Sequence, residues 1–267
     1  MTITDAAPDA ELALTAAAAG AAVVRVMYDD SALERFDKGG GDFATAADLA
    51  AEDAVLGVLR AGRPDDAVAG EESGESGLPG ARRRWLVDPL CGTLNYAAKN
   101  MLVGVNVALR VDGEVTAAAT ADPFSGEVFW TDGERALVRE GGVDRALAPS
   151  AASRLVDINM DTADPRSPEF RGARIIAAPE FADRFRPRVV STTLAVAWVA
   201  AGRRAAYVTD GQLRDSVHFS AGIGLCRAAG CVVTGILGEP LHTGAGGLVV
   251  AADAETHAAL VGIAQAV

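Results

Sequence analysis

A chain of 267 residues, 50% hydrophobic and 22% charged, has enough apolar surface for one substantial core or two fused halves, and its composition is neither disordered nor fibrous. The formal charge of −12 argues against a nucleic-acid polymer as partner, because neutralising a phosphate backbone calls for an excess of lysine and arginine. The cysteines, Cys91, Cys226 and Cys231, make no framework of paired disulfides and fit a reducing, cytoplasmic setting. The Ala-rich stretch 13–26 lacks a basic leader and has an uncharged run shorter than the ~20 residues of a membrane span.

Taken in order, residues 9–36 read as one long helix with Leu12, Val23, Val26 and Met27 on its apolar face, and Gly39-Gly40-Gly41 as the turn after it. Residues 45–59 read as a second helix. Its opening Thr45-Ala46-Ala47-Asp48 has the form of a capping box, so Asp48 has a structural use whatever else it does. Ala67-Val68-Ala69 is an apolar run that ends in Gly70-Glu71-Glu72, and Trp85-Leu86-Val87 ends likewise at Asp88. Pro89 has no N–H for a ladder and is expected to stop the strand, Gly92 permits a tight turn, and Thr93 could cap the next helix. Two strands that end in carboxylates, one beside a turn that aims N–H groups outward, point to a site for a metal and a phosphate; the alternative is a pair of ordinary strand–turn boundaries.

Downstream, 103–109 is β-rich, and Val111-Asp112-Gly113-Glu114-Val115 carries the Asp-Gly hairpin signal. Strands are expected at 116–121 and 128–131, completing an antiparallel sheet flanked by the two early helices. Arg82-Arg83-Arg84 reads as solvated charge before a buried strand. Residues 141–154 read as a loop, near a boundary between sub-regions 1–145 and 146–267 of a single domain. Beyond it, 156–160, 174–178, 205–208, 231–236 and 248–252 read as strands and 179–185 as a helical turn. Residues 193–201 (capped by Ser191), 219–229 and 254–264 read as helices. His242 and His257 have no ligand spacing with anything.

Six segments in order carry a family pattern. They are Lys38 with Asp42-Phe43-Ala44-Thr45-Ala46-Ala47-Asp48; Gly70-Glu71-Glu72-Ser73; Asp88-Pro89-Leu90-Cys91-Gly92-Thr93-Leu94-Asn95-Tyr96; Asp122-Pro123 through Phe129; 191–202; and 227–234. Together they resemble the inositol monophosphatase superfamily, whose signature is Asp-Pro-(Ile/Leu)-Asp-Gly-Thr-x-Asn-Phe. The resemblance implies an α/β fold, a layered α-β-α-β-α sandwich with mixed and antiparallel sheets, usually as a homodimer. It implies a magnesium-dependent phosphomonoesterase for a small metabolite, such as an inositol phosphate, a sugar phosphate or a nucleotide 3′-phosphate. By position, Glu71, Asp88 and the Leu90 carbonyl would hold a first Mg2+, and Asp48 with Thr93 would orient and deprotonate the attacking water. The N–H groups of Gly92 and Thr93 would receive phosphate oxygens. Lys38 would stand near the phosphate, although by itself it reads as a surface charge. Asp210 and Asp215 lie where family members contact the rest of the substrate.

Two departures stand out. The second aspartate of the signature is Cys91, and the family's later Trp-Asp aligns onto Val217-His218. Both changes fall on the second ion, which shares Asp88. Magnesium takes hard oxygen ligands, whereas thiolate and imidazole suit Zn2+ or another transition metal such as Mn2+. The alternatives are a buried Cys91 acting as a small hydrophobe and a His218 bonded locally at a helix start, which would leave the second ion weakened or lost. Three readings therefore stand: a phosphatase, a non-catalytic binder of a phosphorylated metabolite, and a re-metallated site with altered chemistry.

Overall fold

The computed structural model describes residues 8–29, 34–39, 42–161 and 170–267. Gly40 and Gly41 of the expected turn lie outside these residues. In the first half run α1 (Asp9–Met27), β1 (Arg35–Gly39), β2 (Asp42–Thr45), α2 (Ala46–Gly62), β3 (Ala67–Gly70), β4 (Gly74–Ser76) and β5 (Arg83–Cys91). Then come α3 (Thr93–Ala97), β6 (Gly104–Val111), β7 (Glu114–Ala121), β8 (Val128–Thr131), β9 (Ala136–Glu140) and β10 (Val143–Ala146). The second half adds β11 (Leu155–Ile158), α4 (Gly172–Ala177), α5 (Pro179–Arg184), β12 (Arg186–Val189), α6 (Leu194–Ala200) and β13 (Ala206–Thr209). It closes with α7 (Ser220–Ala228), β14 (Val232–Thr234), β15 (Leu248–Ala251) and α8 (Ala254–Ala266).

Eight strands form the first sheet, in the order β10-β9-β8-β7-β6-β5-β3-β4, and five the second, β12-β11-β13-β15-β14. One face of the large sheet packs Val87, Val105 and Val107 against α1 and α2. Its other face and one face of the small sheet enclose α6 and α7, through Phe129, Val196, Ile223 and Tyr207. The far face of the small sheet carries α4, α5 and α8, through Ile175, Phe181 and Leu260. This is the expected α-β-α-β-α layering.

Helix α1 has a face of Ala13, Ala16, Ala17, Gly20 and Ala21, which lets it lie close to its neighbours. A Cβ on Gly20 would stand 2.8 Å from Val55 Cγ2 of α2. With a mean hydropathy of 1.5, α1 is long and apolar enough to cross a membrane, contrary to the reading of this stretch as too short. Here its buried face packs on α2 and the large sheet, as a core helix does.

Several expectations are corrected. The first helix stops at Met27, and 35–39 is a strand, paired antiparallel with 42–45. Strand β5 continues through Pro89 to Cys91. The proline is tolerated because parallel pairing with β3 ends at Gly70–Val87 and the register with β6 slips between Asp88 and Cys91. Val143–Ala146 is a strand, not a loop, joined to β9 by Gly141 and Gly142, both at positive φ. Residues 172–177 form a helix where a strand was expected; the buried Asp210 carboxylate accepts the N–H groups of Arg171 and Gly172 at its start. The cap of α6 is Thr193, not Ser191. Arg83 is no solvated charge: it bonds Asp66 and Asp9, tying α1 to the sheet. The Asp112-Gly113 hairpin forms as expected, with φ of +52° and +94°.

Candidate active site

Strands β3 and β5 run parallel, so their carboxyl ends leave the sheet together. Glu71 N donates to Val87 O at 3.0 Å, which sets Glu71 beside Asp88. Asp88 is fully buried. Its Oδ1 accepts Leu90 N at 3.2 Å, and its Oδ2 lies 2.7 Å from His218 Nδ1 and 3.5 Å from Asn106 Nδ2. Burial alone would raise its pKa; the His218 charge and hydrogen bond overcome that and hold the carboxyl below its usual range. Glu71 behaves in the opposite way: burial, then the Asp88 charge, push it up to about 8 against the pull of His218 and Lys38. Its Oε2 is buried and has no hydrogen-bond partner among the described residues. Lys38 Nζ caps this acidic end from outside, 3.2 Å from Glu71 Oε1 and 2.6 Å from Glu72 Oε1. Burial works against that ammonium, but the Glu72 hydrogen bond and the two carboxylates raise its pKa overall.

The pair expected to handle the water is assembled. Thr93 Oγ1 donates to Asp48 Oδ1 at 2.9 Å, with Leu90 O 3.2 Å away as a second acceptor. The other oxygen of Asp48 accepts Thr45 N at 2.8 Å and Thr45 Oγ1 at 2.5 Å, so the capping box also forms. Burial raises the Asp48 pKa; the Thr45 and Thr93 hydrogen bonds oppose it. Asp48 therefore holds Thr93 with one oxygen and the cap with the other. Thr93 is the first helical residue rather than the cap, a place taken by Gly92 at φ +108°. A Cβ there would stand 2.9 Å from Leu102 O and 3.1 Å from Ser191 O, so only glycine fits this turn. The signature Asn95 holds the same two carbonyls, at 2.8 and 2.9 Å.

The two departures meet. Ligand atoms of Asp88, Cys91 and His218 all lie within 4.8 Å of one another. Cys91 Sγ accepts hydrogen bonds from Thr193 Oγ1 at 2.9 Å and Thr193 N at 3.3 Å. Burial, then the Asp88 charge, raise the thiol pKa. Burial disfavours a charged His218, but Asp88 outweighs it and pushes the imidazolium up to about 12.

These groups open on a cleft of about 490 Å³ lined by Glu71, Cys91, Gly92, Thr93, Thr193 and His218, among others. Asp210, expected at the substrate, is turned to the backbone of Arg171 and Gly172 and does not line this cleft. Asp215 pairs with Arg110 instead. Functional neighbours that the residue spacing did not reveal are Glu52, Asn106, Thr193, Asn159 and Asp161. Glu52 lies one turn after Asp48 on the same buried face of α2, and its carboxylate accepts Glu72 N at 2.9 Å and Ser73 N at 2.7 Å. Asn159 and Asp161 follow β11 and line the cleft, repeating the pattern of a strand that ends in polar side chains.

Comparison with known proteins agrees with this arrangement. The family model described as "Inositol monophosphatase family" matches residues 5–267. A "Probable inositol 1-monophosphatase ImpA" of Mycobacterium tuberculosis is 34% identical, over 76% of this chain and 75% of its own length. The "Nus factor SuhB" of Escherichia coli K12 is 31% identical over 82% of each. Among solved structures, an inositol monophosphatase from Anabaena superposes with a TM-score of 0.77 at 26% identity, covering 97% of this chain and 94% of its own. The suhB extragenic suppressor protein of Bartonella henselae superposes with a TM-score of 0.79 at 25% identity over 96% of each chain. With the family's signature loop, its two carboxylate-ended strands and its layering all present, this chain belongs to the inositol monophosphatase family.

Proposed function

We propose that this chain is a metal-dependent phosphomonoesterase acting on a small phosphorylated metabolite in the cytoplasm, as a homodimer, with a Mg2+ ion held by Glu71, Asp88 and the Leu90 carbonyl. The observation that carries this reading is the buried Glu71 Oε2 beside Asp88, which no described residue hydrogen-bonds and which has His218 Nδ1 at 3.9 Å, next to an Asp48–Thr93 pair whose threonine lines the cleft. A buried carboxylate oxygen without a donor calls for a cation. The ion would act as a Lewis acid on the phosphoryl oxygens and lower the pKa of water. Thr93 donates its own hydroxyl proton to Asp48, leaving its oxygen lone pairs to accept a proton from water on the cleft side. Asp48, whose hydrogen bonds favour the carboxylate against its burial, orients that relay. The N–H groups of Gly92 and Thr93 are offered to phosphate oxygens, and Lys38 adds a positive charge at the rim. An inositol phosphate, a sugar phosphate and a nucleotide 3′-phosphate all remain within this substrate class.

A second reading, a phosphate-metabolite binder without turnover, is favoured by the 2.7 Å contact of His218 with Asp88, which sets an imidazolium where a second ion would bind. Phosphate release from a panel of small phosphomonoesters by metal-stripped protein, with and without Mg2+, separates the two. Turnover that depends on Mg2+ and falls at least about a hundredfold in Asp88→Asn is expected. Binding of the esters without any release would replace the first reading with the second.

A further inference from the structure

We propose that Asp88, Cys91 and His218 form a three-residue site for one transition-metal ion of the zinc type, with its remaining position open to the cleft. The donors are one carboxylate oxygen, one sulfur and one imidazole nitrogen, drawn together from β5 and from the segment before α7 to within 4.8 Å of one another. A tetrahedral zinc centre has ligand atoms roughly 3.3–3.8 Å apart, given bonds of about 2.0–2.3 Å, so closing on an ion asks for side-chain shifts of about 1 Å. Magnesium would find only one of its preferred hard oxygens among the three.

The surroundings of the donors are arranged as a metal site requires. Thr120 Oγ1 donates to Asn106 Oδ1 at 2.8 Å, Asn106 Nδ2 donates to Thr193 Oγ1 at 2.7 Å, and Thr193 Oγ1 donates to Cys91 Sγ at 2.9 Å. This chain of buried donors runs one way and ends on the sulfur as acceptor. Thr193 N adds a second donor at 3.3 Å. Sulfur is a weak acceptor as a thiol and a good one as a metal-bound thiolate, so two donors aimed at it match the coordinated form. Asp88 is steadied in the same manner by Leu90 N and Asn106 Nδ2. Two of the three ligands, Cys91 and His218, line the cleft with Asp88 buried behind them, which leaves the open coordination position of a catalytic rather than a structural zinc. When the ion enters, the Cys91 thiol proton and the imidazole proton on Nδ1 leave to solvent as the two bonds form. The inference deepens the phosphatase reading and rests on it for the site's use; binding itself stands on the donor atoms.

Metal-stripped full-length protein titrated with cobalt(II), followed by absorbance in the visible and near ultraviolet, tests it. One equivalent should bind with a thiolate-to-cobalt charge-transfer band, displaced by Zn2+ but not by an excess of Mg2+. Cys91→Ser should abolish the band, Cys231→Ser should retain it, and His218→Ala should weaken binding at least tenfold. X-ray absorption of the zinc-loaded wild-type protein needs no variant to fold, and should show one sulfur neighbour at about 2.3 Å. A cobalt centre without sulfur, a band that survives in Cys91→Ser, or ready displacement by Mg2+ would each overturn the site. Phosphate release measured in parallel with Mg2+ alone keeps the outcomes apart. Turnover without any cobalt or zinc binding sinks this inference and leaves the phosphatase, whereas binding without turnover on any ester does the reverse.

Discussion

The cleft has two unlike walls. On one, Glu71 and Thr93, with Asp88 and Asp48 buried behind them, present only oxygen, and they are seated by the ends of β3 and β5, α2 and the start of α3. On the other, Cys91, Thr193 and His218 bring sulfur and nitrogen, with Thr193 and His218 supplied by the starts of α6 and α7. Asp88 belongs to both. The difference teaches that the oxygen donors expected from the family signature and the sulfur and nitrogen that stand in place of its later aspartates share one buried carboxylate, Asp88. The exchange is local because the β3–β5 register and the buried Asn106–Thr193 link hold the walls independently of the donors they carry.

That contrast can be broken or sharpened by experiment. The largest effect is expected on the oxygen wall: Thr93→Val should lower kcat about a hundredfold, the scale of general-base help, and cost about 1–3 kcal/mol of folding stability by leaving Asp48 Oδ1 without its donor. If kcat is unmoved, the Asp48–Thr93 pair is only a fastening between α2 and α3. Next, Glu52→Ala leaves Glu72 N and Ser73 N without their acceptor, and should cost about 3 kcal/mol in urea unfolding while loosening metal binding at Glu71. A stability loss with unchanged metal affinity would show that the Glu71 side chain is held by the sheet alone.

On β11, Asp157 supplies a control on electrostatics. It is fully buried with Arg204 Nε at 2.9 and 2.8 Å from its oxygens, yet burial dominates and holds its pKa up to about 6, from 3.8. The folded state thus binds this proton more tightly than the unfolded chain. Its contribution is full below about pH 4 and is lost as pH rises through about 6, on the order of 3 kcal/mol. Denaturation midpoints across that range should show the decline, and Asp157→Asn should flatten it. The smallest effect should come from Thr45→Ala, which removes a helix cap at about 1 kcal/mol while kcat stays within about threefold. A fall in kcat matching that of Thr93→Val would mean that the cap, not the sheet, aims Asp48.

Much of this molecule was legible in the residues. The signature around Asp88, the Gly70-Glu71-Glu72 turn, the Thr45–Asp48 box and the Asp112-Gly113 hairpin are local patterns, and local patterns survive folding because their partners lie within a few residues. Other features were not. The helix at 172–177 depends on the Asp210 carboxylate 38 residues away in sequence, and the same bond removed Asp210 from the cleft. Glu52 and Asn106 gave no signal because their partners, Glu72 and Thr193, are 20 and 87 residues distant.

By itself the sequence determined most of the helices and strands of the first half, through its periodicity and turns, and offered the layer order through the family resemblance, with Asp88, Cys91 and His218 as candidate donors. Only the tertiary structure decided that the two exchanged donors face each other across Asp88, 130 residues of chain separating His218 from it. The reason is geometric: the position of His218 is set by how α7 packs between the two sheets, a long-range outcome of core packing that spacing along the chain does not encode.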